Sequence, residues 1–129
     1  MKTSIFKILA FVLIVFCIST SLLAQNWENL NPDGTEILAD TTLLRSVIVT
    51  IAPGETIGPV THPAHFAYIL TDGKLRVHTE GREPAVMDLK KGMPIYMDPV
   101  GPHKTENVGS EPFSFLIVEL KEHPYKGSD

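Results

Sequence analysis

An all-β domain, a sandwich or barrel of eight or so short strands, is what the sequence predicts, on two observations. All ten prolines and all nine glycines lie between Pro32 and Gly127, and they interrupt the chain too often for long helices. Between these breaks sit short runs of β-branched and aromatic residues, the composition of strands.

The elements follow in chain order. Residues 1–24 contain no Asp, Glu, Gly or Pro; Lys2 and Lys7 precede an apolar run at 8–18, and Ser19-Thr20-Ser21 leads to Leu22-Leu23-Ala24. This is the pattern of a signal peptide cut after Ala24, which places the mature protein in the periplasm or outside the cell and off the membrane. Left uncut, the segment would act as an anchor, although its apolar run is shorter than the ~20 residues of a full span. Lipidation of Cys17 is disfavoured by the bulky Val15 and Phe16 before it. The cut leaves 129 − 24 = 105 residues, enough for one core and not for two.

Residues 25–34 read as an irregular arm broken by Pro32. Strands are expected at 35–38, 43–51, 66–71, 74–79, 85–89, 95–97, 103–107 and 113–120, with Asp40-Thr41-Thr42 as a turn. The barrel domain spans 35–122 and a flexible tail 123–129. Alternation places Phe66, Tyr68 and Leu70 on one inward face, with Leu75 and Val77 inward after the Asp72-Gly73 turn. Lys74, Arg76 and His78 then face water, and His65 has the parity opposite to His62 and Phe66.

Charge excludes one class of partner. The chain counts 11 − 15 = −4, and 9 − 15 = −6 once Lys2 and Lys7 are gone, with scattered basic residues that offer no phosphate-binding patch. Nucleic acid is therefore not expected as a partner. The single cysteine, Cys17, lies in the leader, so the mature chain has no thiol chemistry. No nucleophile elbow, dinucleotide loop, phosphate loop or His-Glu-x-x-His helix is present.

Taken together, Pro53-Gly54, His62-Pro63, Tyr68-Ile69-Leu70 ending at Gly73, Leu89-Lys90-Lys91-Gly92, and Pro99-Val100-Gly101-Pro102-His103 with Asn107 and Gly109 resemble the cupin superfamily over roughly residues 36–121. The resemblance implies a double-stranded β-helix, the RmlC-like jelly-roll barrel, and commonly a divalent metal held by histidines and a carboxylate. Aligned on Gly73, the first motif's ligand positions hold Val60, His62 and Phe66, so one of three is kept; the second motif keeps Gly92, Gly101, His103 and Asn107.

Two readings stay open. In the first, His62 and His103 hold iron, manganese, nickel, zinc or copper, with His65 as third ligand if a bulge near Pro63 re-aims it, and Asp98 as a less favoured carboxylate. Tyr68 would orient ligand or transfer a proton, and the resemblance implies oxygenase, isomerase or lyase chemistry. In the second, the protein is a metal-free binding or structural module whose pocket is lined by Val60, Phe66, Leu75 and Val77, with Phe66 and Val60 filling the space of the missing ligands. Either way the expected partners are a small organic molecule and a second copy in a homodimer, to which strand 113–120 contributes.

Overall fold

The computed structural model describes residues 27–127. The expected leader and its cut after Ala24 lie outside the described residues. One helical turn, α1 (Trp27–Leu30), precedes nine strands: β1 (Thr35–Asp40), β2 (Leu44–Ile51), β3 (Thr56–His62), β4 (His65–Ile69), β5 (Gly73–Thr79), β6 (Ala85–Leu89), β7 (Pro94–Met97), β8 (Val100–Asn107) and β9 (Phe113–Leu120). Among the described residues, no helix is long and apolar enough to cross a membrane.

Two antiparallel sheets face each other, one ordered β1-β2-β9-β4-β7 and the other β3-β8-β5-β6. Register fixes which side chains meet: β2 pairs with β9 from Leu44↔Leu120 to Ile51↔Phe113, so Val47, Val49 and Ile51 point inward beside Phe113 and Ile117. Their burial, with Ile57, Val60, Ile69, Leu75 and Leu89 from the other strands, makes one core between the sheets. The β1–β2 turn forms as expected, because the Thr41 hydroxyl accepts the amides of Leu43 and Leu44 at 3.2 and 3.1 Å.

Asn107 ends β8 fully buried. Its amide donates to the carbonyls of Ile51 and Glu111 at 2.9 and 2.8 Å and accepts from the Gly109 amide at 2.9 Å, tying the β8–β9 loop to the end of β2. Nearby, Gly73 is required by close packing, since a Cβ there would lie 2.3 Å from the Phe113 ring.

Three expectations are corrected. Strand β3 is absent from the sequence reading because Gly58 and Pro59 interrupt its pattern; it pairs with β8 through irregular register at that place. The 25–34 arm contains the helical turn α1, whose Trp27 is buried. The start of the tail is tied down: Ala64 donates its amide to the His123 carbonyl at 2.8 Å, and His123 donates to Leu120 at 3.0 Å.

The corner between β3 and β4 matters most for function. At Pro63-Ala64 the chain leaves the four-stranded sheet for the five-stranded one, and the alternation restarts. His62 therefore faces inward as the last residue of β3, and His65, Ala67 and Ile69 face inward along β4. Phe66 and Tyr68 consequently point outward and are each 40% exposed, the reverse of the expected parity.

Candidate metal and ligand site

Three buried imidazoles gather at one end of the barrel. His62 ends β3, His65 begins β4 and His103 lies on β8, and the His62 ring centroid is 5.0 Å from that of His65 and 5.1 Å from that of His103. Each ring is oriented through Nδ1. His62 Nδ1 bonds Glu119 Oε1 at 2.9 Å, His65 Nδ1 donates to the Pro63 carbonyl at 2.8 Å, and His103 Nδ1 donates to the Gly101 carbonyl at 2.9 Å. A carbonyl can only accept, so Nδ1 carries the proton in His65 and His103, and in the neutral ring Nε2 keeps its lone pair.

Burial holds His62 below the ordinary imidazole range, against the upward pull of the Glu119 carboxylate. His65 is lowered by the same cause, offset in part by its bond to Pro63. A neutral His62 donates Nδ1–H to the carboxylate and also leaves Nε2 as an acceptor. Among the described residues nothing hydrogen-bonds the Nε2 of these three rings.

Glu119 and Trp27 are the members that the sequence reading missed. Glu119 is 8% exposed and its Oε1 also accepts the Trp27 indole N–H at 3.2 Å, while the indole stacks on His62 with centroids 5.0 Å apart and planes inclined by 17°. The signal was legible in β9: Phe113, Phe115, Ile117 and Glu119 share its inward parity, which puts a carboxylate in an apolar row. Trp27, the chain's single tryptophan, is carried into place by α1.

The imidazoles open onto a cavity of about 130 Å³ between the sheets. Val60, Leu75 and Val77 line it, together with Trp27, Thr105 and apolar residues of β4, β7 and β9. Phe66 and Tyr68 do not: with their side chains outside the barrel, Phe66 is no part of the pocket, and Tyr68 is not placed to orient a ligand or move a proton there. Among the described residues, no carboxylate of the cavity wall takes the place of the glutamate missing at position 66, because Glu119 stands behind His62 as its hydrogen-bond acceptor. Asp98 lies in a separate outer groove.

Among the described residues, no three His, Cys, Asp or Glu side chains already stand in the geometry of a metal site. The donor set nevertheless fits a divalent transition metal: imidazole nitrogen suits zinc, copper, iron and nickel, and a ligating histidine usually donates its other N–H to a carboxylate or backbone carbonyl, as these rings do.

A family model described as "Cupin domain" matches residues 47–119. No curated protein matches the chain. Among solved structures, a cupin domain from Bordetella pertussis Tohama I aligns with TM-score 0.63 and 19% identity, covering 67% of this chain and 91% of its own. An RmlC-like cupin family protein with a double-stranded β-helix fold from Methanocaldococcus jannaschii aligns with TM-score 0.56 and 20% identity over 67% of this chain and 77% of its own. A protein with a double-stranded β-helix domain from Klebsiella pneumoniae aligns with TM-score 0.53 and 23% identity over 67% and 75%. These likenesses concern the fold.

Proposed function

The chain belongs to the cupin domain family, and from that premise we propose that it binds a small organic ligand in its barrel beside one divalent transition-metal ion held by Nε2 of His62, His65 and His103. One observation carries the reading: three neighbouring imidazoles each have Nδ1 engaged by an acceptor and Nε2 without a hydrogen bond, all on the wall of one cavity. When bound, the ion would supply Lewis-acid polarisation of a ligand oxygen, the chemistry behind the oxygenase, isomerase and lyase activities common in this superfamily.

The chain's own residues do the remaining work. Glu119 keeps His62 in the tautomer with Nδ1–H, Trp27 holds Glu119 and covers one face of the ring, and the apolar wall excludes water. The competing reading, a metal-free binding module, is favoured because no carboxylate is among the described residues that line the cavity.

Elemental analysis of untagged protein purified without chelator separates the two, with His62→Ala and His103→Ala alongside. One equivalent of metal, lost in both variants, is expected. No metal, together with a thermal midpoint unmoved by iron, manganese, nickel or zinc, leaves the binding module.

We further propose export to the periplasm or cell exterior, supported by the leader pattern of residues 1–24. Homodimerisation is supported by the outer face of the five-stranded sheet. There Tyr96, Phe66 and Val118 stand side by side across β7, β4 and β9, and Tyr68 and Leu116 form the next row. Strand β9 lies between β2 and β4, so it would contribute this face and not an edge.

A further inference from the structure

The cavity's size and charge specify more than a small ligand. Its volume, about 130 Å³, is close to that of an apolar cavity of roughly 150 Å³ known to hold benzene, and well below the ~300 Å³ at which pockets for drug-sized ligands begin. A nucleotide, a sugar or a multi-ring compound would have to extend out of it past Met87 and Met97. Its polar groups are few: the three imidazoles gather at one end, and Thr105 adds a hydroxyl.

Along β4 the inward residues then run from His65 to Ala67 and Ile69, and apolar wall replaces donors. Among the described residues, no lysine or arginine lines the cavity. Behind His62 stands the Glu119 carboxylate, 2.9 Å from its Nδ1, with Arg45 opposite Glu119 on β2. In the metal-free protein a carboxylate ligand would meet no cationic side chain among the described lining residues, while an ammonium would find Glu119 already accepting two hydrogen bonds.

The entrance fits the same class of ligand. Met87 and Met97 line the cavity yet remain 39% and 42% exposed, on β6 and β7, which are edge strands of the two sheets. A rim of two flexible thioethers adapts to an apolar body and offers a charged one nothing.

Resting on the ligand-binding reading above, though not on its metal ion, we infer that the cavity takes a neutral, mainly apolar molecule of about six to nine non-hydrogen atoms, with an oxygen at the end where the imidazoles gather, and that in the metal-free protein it rejects carboxylates. A phenol or a small cyclic ketone has these properties. In the metal-free protein an imidazole Nε2 lone pair accepts from a phenolic O–H, and the ring occupies the space beside Ala67, Ile95 and Val77.

Phenol and benzoate are therefore titrated by calorimetry into the protein as purified and after chelator treatment, with Trp27 fluorescence as a second readout because that indole lines the cavity. Expected is saturable phenol binding that alters Trp27 emission, with benzoate at least about tenfold weaker in the chelator-treated protein. Ala67→Leu and Val77→Phe, which fill the space from opposite sheets, should remove phenol binding in whichever variant keeps the parent's circular dichroism.

No saturable phenol binding, equal or tighter benzoate binding after chelation, or unchanged phenol binding in a folded filled variant would each overturn the inference. The metal reading fails separately. Phenol binding in protein that elemental analysis finds metal-free keeps the ligand class and removes the ion. Metal present with benzoate preferred after chelation does the reverse.

Discussion

Replacing Glu119 by alanine tests the network that positions His62. In the folded protein Glu119 Oε1 accepts two buried donors, the Trp27 indole at 3.2 Å and His62 Nδ1 at 2.9 Å. Truncation strands both, and a buried donor without a partner costs about 1–3 kcal/mol. Against that roughly 2–6 kcal/mol stands the relief of no longer burying a carboxylate, so a net loss of about 2–4 kcal/mol is expected. In a domain of this size that lowers the thermal midpoint by roughly 10 °C or more.

Glu119→Gln keeps an acceptor in place while removing the charge, so it should cost about 1 kcal/mol. Urea unfolding followed by Trp27 emission measures both variants. Nitrogen NMR of the His62 ring reads the tautomer directly: Nδ1–H in the parent and in Glu119→Gln, and a mixture in Glu119→Ala. An alanine variant within 1 kcal/mol of the parent, or a glutamine variant as damaged as the alanine one, would refute the reasoning.

Stability should depend on pH through His62 and His65. Both are lowered by burial from the ordinary 6.5, so the unfolded chain binds protons that the folded one refuses, and stability present above that value is lost as pH falls below it. The slope reaches at most about 2.7 kcal/mol per pH unit for two such groups, and urea unfolding from pH 8 to 5 should show it shrinking when both are replaced by glutamine. Gly73→Ala should destabilise by about 1–3 kcal/mol, measured by the same unfolding curves, because its Cβ would meet the Phe113 ring at 2.3 Å. Phe66→Ser with Tyr68→Ser should turn a dimer into a monomer in sedimentation velocity while leaving metal content unchanged, since both side chains face away from the cavity.

Much of the fold was legible because local chemistry decides it. Prolines and glycines bound the strands, Thr41 forms its turn within four residues, and alternation along 113–120 survives in β9. The same reasoning failed between His62 and Phe66. Period-two parity holds only while a strand stays in one sheet, and the Pro63-Ala64 corner moves the chain to the other. His65 thereby joined His62 inside, and Phe66 and Tyr68 turned out to solvent. A bulge near Pro63 was the condition under which the sequence reading allowed His65 into the site, and a change of sheet has the same effect on side-chain direction.

The sequence by itself determined an all-β barrel of the cupin kind, the retention of His62 and His103, and the gaps at Val60 and Phe66. Which groups surround those histidines was decided by tertiary structure. Glu119 lies 57 residues from His62 and 92 from Trp27, and contacts over such separations come from sheet order and register that no local pattern encodes. Cavity volume is equally non-local, because it is the space left when seven strands from two sheets, β3 to β9, have packed, and no single strand carries it.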